Sequence, residues 1–74
     1  MMRTYRILLQ PEPEGGFTVT VPSLPGCITY GETLEEAHAM AREAIELCIE
    51  VLQERGEEIP DDSRTLEYSL TIAA

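Results

Sequence analysis

Few side chains in this 74-residue chain are of a type that does chemistry, and their spacing limits what they can do. His38 is the single histidine. As a general base it would need a nucleophile and an orienting group within hydrogen-bond reach, and Ser23, Ser63 and Ser69 fall at no recognisable spacing for such a set. It reads instead as a packed residue at the margin of an apolar helical arc, or as an interface residue if that margin meets another molecule. Cys27 and Cys48 are the two cysteines. Together with one distant histidine they do not make a zinc site, and they read as small buried apolar side chains rather than a redox pair. A two-metal nuclease would need carboxylates projecting from strands as well as from a helix. The apolar stretches at 3–9, 17–21 and 27–30 hold no Asp or Glu, and Glu67 stands alone in a fourth at 65–72. The expectation is a protein that is not an enzyme, with no catalytic residues, no cofactor and no metal.

The acids are more informative as a surface than as catalysts. Fourteen Asp and Glu face five Arg and no Lys, a formal charge of −9. Such a field repels phosphates and favours a basic partner, so direct nucleic-acid binding is not expected. Glu35, Glu36, Glu43, Glu46, Glu50 and Glu54 fall on one side of a helical projection. That stripe is either a solvated face or a surface complementary to a basic protein, where opposite charge speeds encounter and weakens with salt. The first five of these glutamates are the candidate partner-binding residues, and Glu12 and Glu14 at a hairpin tip are placed to add to them.

The element that carries the stripe is a helix over residues 33–56. Thr33 with Glu36 three residues on is a capping box, the interior has no Gly or Pro, and Arg55 and Gly56 suit its end. Leu34, Ala37, Met40, Ala41 and the apolar residues that follow cover an arc of about 200°, whereas a helix lying on one sheet needs roughly 100°. The alanine-rich first half can approach a sheet closely. The bulky second half overhangs it, since about 33 Å of helix meets strands of roughly 20 to 26 Å. Met40, Leu47, Ile49, Val51 and Leu52 are therefore the candidate interface of a homo-oligomer, dimer or higher. A wider monomer core and pairing through the edge strand 27–30 are the alternatives.

Residues 3–9 and 17–21 alternate apolar and polar, with a Pro and Gly turn between them. Pro22 and Pro25 break the ladder, and Pro25-Gly26 fits the middle of a type II turn. A short strand at 27–30 precedes the helix, and 65–72 shows the cleanest alternation in the chain: Leu66, Tyr68, Leu70 and Ile72 against Thr65, Glu67, Ser69 and Thr71. The fold class expected is α+β with order β-β-β-α-β, a four-stranded mixed sheet of order 3-2-1-4 with one long helix on one face. The other face, with Thr18, Thr20, Arg6 and the polar residues of the last strand, is expected to meet water. No apolar run reaches the roughly 20 residues of a membrane span. A cytoplasmic location follows.

The run Glu14-Gly15-Gly16-Phe17-Thr18-Val19-Thr20-Val21-Pro22-Ser23-Leu24-Pro25-Gly26-Cys27, followed by Thr29-Tyr30-Gly31-Glu32-Thr33-Leu34-Glu35-Glu36-Ala37, resembles the N-terminal domain of HicB-type antitoxins and their small relatives. The likeness spans residues 5 to about 60. It implies a partial ribonuclease-H-like fold and a role in neutralising a HicA-type toxin, a small basic RNA-cleaving protein, by occluding its RNA-binding or active surface. The alternative is a stand-alone structural or regulatory homo-oligomer with no toxin partner. Family members that repress their own operon resemble two-domain proteins with a DNA-binding segment after the final strand. Here the sequence stops at Ala74, so the expectation is a single HicB-like domain over 1–74 without a C-terminal DNA-binding domain.

Overall fold

Three of the four expected strands find partners in the computed structural model, which describes residues 2–74. Strands β1 (Leu8–Pro11), β2 (Phe17–Thr20) and β3 (Ile28–Gly31) form an antiparallel sheet of order β1-β2-β3, followed by helix α1 (Leu34–Glu54). Val19 sits at the centre, opposite Leu9 on one side and Thr29 on the other. The first hairpin closes through the Glu12 amide on the Gly16 carbonyl at 3.0 Å. Beyond Thr20 the ladder with β1 stops because Pro22 has no amide to give, while the Val21 amide still reaches the Cys27 carbonyl on the β3 side at 3.1 Å. The chain then bends through Leu24 to Cys27, whose amide returns to the Leu24 carbonyl at 2.9 Å, with Gly26 at φ +82° as the type II turn requires.

The helix begins and ends as its terminal residues dictate. The Thr33 hydroxyl accepts from the Glu36 amide at 3.0 Å, and the Glu36 carboxylate accepts in return from the Glu32 amide at 3.1 Å, one residue before the cap. At the other end the Gly56 amide donates to the Gln53 carbonyl and the Glu57 amide to the Leu52 carbonyl, the paired bonds of a Schellman motif.

The helix lies over β2 and β3 and packs through two contiguous clusters. In the first, Val19, Ala37 and Ala41 are buried with Ile7, Leu9 and Phe17 against them. In the second, Val21, Leu24 and Cys27 are buried beneath Ile45, Cys48 and Leu52. Close approach needs small residues on both sides: a Cβ on buried Gly31 would run into the main chain of Ala37. Burial of Val19, Val21 and Leu24 stabilises the fold by roughly 1.5–3 kcal/mol each.

The expected fourth strand does not form. Among the described residues, 65–72 join no strand ladder, so the four-stranded mixed sheet of order 3-2-1-4 and the β-β-β-α-β order give way to three antiparallel strands and a helix. Alternation specifies which side of a segment is apolar but names no partner for its main chain. Leu66, Tyr68, Leu70 and Ile72 are 93%, 92%, 77% and 75% exposed. The first strand also starts later than its alternation suggests, because residues 4–6 bond to the loop around Asp62 rather than to a strand. On the sheet face opposite the helix, Leu8, Ile28 and Tyr30 stand exposed beside the threonines, so this face is less polar than expected.

Candidate partner-binding surface

The surface left over by the fold lies along α1, and length alone creates it. At about 1.5 Å per residue the 21-residue helix runs about 31 Å, whereas four-residue strands reach only about 13 Å. Glu35, Glu36, Glu43, Glu46 and Glu50 are all exposed on the side away from the sheet. Glu36 is tied into the helix cap, and Glu35 beside it suits the positive end of the helix dipole. The remaining three carry no such local duty. Among the described residues the one ion pair is Arg55 with Glu57 at 3.8 Å, outside the stripe.

The candidate apolar interface splits between two flanks. Leu47, Val51 and Leu52 line an open cavity of about 450 Å³ with Leu24, Pro25 and Pro60, and Leu47 is 62% exposed. Met40 lies half-buried on the same flank. Ile49 lies on the other side of the helix, where it lines a groove of about 770 Å³ with Tyr5, Ile7 and Ile45. His38 stands exposed near that groove rather than packed, and its Nδ1–H donates to the Leu34 carbonyl at 2.8 Å.

The two cysteines are free and close together under the helix. Burial, and then the neighbouring Cys48 sulfur as a hydrogen-bond partner, push the Cys27 thiol up to about 11. A thiol held protonated is a poor nucleophile, so packing is the chemistry this pair does here. Among the described residues no group of three His, Cys, Asp or Glu side chains is placed to hold a metal, and no helix is long and apolar enough to cross a membrane.

Asp62 is the one structurally decisive side chain that the sequence reading passes over. Only 6% exposed, it accepts from the Ser23 hydroxyl at 2.5 Å, the Arg6 amide at 2.9 Å and the Thr65 hydroxyl at 2.9 Å. The Ser23 hydroxyl first, then the Arg6 amide, hold its carboxyl below the ordinary carboxylate range. A signal was present in Asp61-Asp62-Ser63, since Asp followed by Ser favours side-chain to main-chain turns.

A family model described as the HicB-like antitoxin of a bacterial toxin-antitoxin system matches residues 5–72. The chain belongs to the HicB-like antitoxin family. A UPF0150 protein of Thermoplasma acidophilum is 41% identical over 59 residues, which cover 80% of this chain and 86% of that one. Antitoxin HicB 1 of Photorhabdus laumondii is 41% identical over 56 residues, and Antitoxin HicB of Escherichia coli K12 is 38% identical over 56. Those matches cover 76% of this chain but only 36% and 41% of the two longer HicB antitoxins. The HicB-like domain thus contains the three-stranded sheet, the capped helix and the exposed segment 65–72.

Proposed function

We propose that this HicB-like chain neutralises a small basic RNA-cleaving toxin of the HicA type by laying the acidic side of α1 over the toxin's RNA-binding or active surface. The observation that carries this reading is the stripe itself. Glu43, Glu46 and Glu50 are exposed and without a cationic partner among the described residues, in a chain of net charge −9 that belongs to an antitoxin family. Carboxylates in such a row occupy cationic sites meant for phosphates, and steering by opposite charge speeds their arrival. The work is binding rather than catalysis, in the cytoplasm, where free thiols such as Cys27 and Cys48 persist.

The test is to ask whether a neighbouring reading frame encodes a small basic protein, and to run an RNA-cleavage assay with it. Cleavage stops at a one-to-one ratio on this account, and the Glu43→Gln/Glu46→Gln/Glu50→Gln variant inhibits less and loses much of the salt dependence. Undiminished cleavage at stoichiometric ratio rejects the antitoxin reading.

A second reading, a homo-oligomer joined through Met40, Leu47, Val51 and Leu52, is favoured by the exposure of Leu47 on a helix face beside an open apolar cavity. The Leu47→Glu/Val51→Glu variant lowers the mass in light scattering if that flank joins copies. An unchanged mass rejects it.

A further inference from the structure

The segment 65–72 has the chemistry of a strand and no place in its own sheet, while β1 has an open edge and no strand beside it. Main-chain groups along a strand point alternately to its two sides. The Glu12 amide reaches Gly16, and the Thr4 and Arg6 amides reach the carboxylates of Asp61 and Asp62. Even-numbered residues therefore face β2 and the bend beyond it, and Tyr5, Ile7 and Leu9 direct their main chain to the outer edge. Beside that edge runs the groove formed by Tyr5, Ile7, Ala41, Ile45 and Ile49. An added strand with Leu66, Tyr68, Leu70 and Ile72 on one side would fill this groove with all four at once, leaving Thr65, Glu67, Ser69 and Thr71 toward water.

The chain cannot readily fill its own groove. Asp62 sits on the β2 side of residues 4–6, bound to Ser23 and to the Arg6 amide, and it holds Thr65 by both hydroxyl and amide. The root of the tail is pinned on the inner side of the strand whose outer edge is vacant. To reach that edge the tail would have to cross over residues 3–6. A second copy carries no such constraint.

We propose that residues 65–72 of each copy add as an edge strand beside β1 of a second copy, in a reciprocal exchange that closes a two-fold dimer. Charge agrees with this placement. Arg3, Arg42 and Glu46 line the groove, while Glu67, the one charged residue of the tail, falls on the opposite face with Arg6, whose Nε is buried without a hydrogen-bond partner. The extent agrees as well. The eight residues of the tail and the eleven that line the groove bring each copy close to the roughly 20 residues a side of a stable protein interface. Two-fold exchange also removes the exposed edge that would otherwise invite open-ended association.

The experiment is light scattering on the full chain and on Leu66→Glu/Leu70→Glu, whose two sites are exposed in the single chain, with helical circular dichroism as the check on folding. The mass is expected to halve in the tail variant while the helix signal stays. Mixing that variant with Ile49→Glu, which spoils the groove but not the tail, restores a mixed dimer through one intact tail and one intact groove. A full chain that runs at its 8.3 kDa monomer mass overturns the proposal. So does an assembly whose mass the tail variant leaves unchanged, or a mixture in which no mixed dimer forms.

Discussion

Residues 17–21 and 65–72 carry the same alternation of apolar and hydroxyl side chains and meet opposite fates. The first becomes the central strand, with Val19 fully buried and partners on both edges. The second stays exposed along its whole apolar side. Local preference is nearly equal in the two, with β-branched and aromatic residues in each. The difference lies in what the flanking residues permit. A glycine turn delivers 17–21 directly to β1, whereas Asp62 roots the tail on the far side of the strand it would need. A strand is a relation between segments, and an unpaired one is a surface.

The largest expected effect breaks the paired member of this comparison. Val19→Asp buries a carboxylate with no partner at a fully enclosed site and is expected to cost more than about 4 kcal/mol, enough to abolish the helical signal of a chain this small. Gly31→Ala comes next, because its methyl would meet the Ala37 main chain where helix and sheet touch. The expected loss is about 1–3 kcal/mol in denaturant titration.

Acid is expected to act at the root of the tail. The Asp62 carboxyl is held below its unfolded value, so its contribution is complete above the ordinary carboxylate pKa of about 3.9 and is lost as pH falls through the lower folded value. Thermal melts should therefore lose stability on the acid side of that range, and Asp62→Ala should lower the midpoint by several degrees at neutral pH and weaken the acid dependence. The smallest effect belongs to the unpaired member. Leu70→Asp should change the stability of the dilute single chain by no more than about 0.5 kcal/mol, since its side chain is already in water.

The helix was legible because its signals are local. Thr33, Glu36 and Gly56 mark its ends within a residue or two, and the small Ala37 and Ala41 announce a close approach that buried Gly31 completes. The acidic stripe was legible for the same reason, since helical periodicity places Glu43, Glu46 and Glu50 without knowledge of the rest. The fourth strand was misread because pairing depends on where Asp62 anchors the chain, 56 positions from the Arg6 amide it binds. Periodicity contains no information about such a contact. Helical periodicity likewise places Leu47 and Ile49 on opposite flanks of the arc, but it does not say which part of so wide an arc the sheet will cover.

The most direct test of the idea that an unpaired strand pattern finds its partner in another molecule is amide hydrogen exchange of residues 65–72 against that of residues 17–20, followed across protein concentration. The account predicts protection of 17–20 at every concentration and protection of 65–72 that appears only as copies associate. Fast exchange of the tail at all concentrations, or tail protection that is full and independent of concentration, would contradict it.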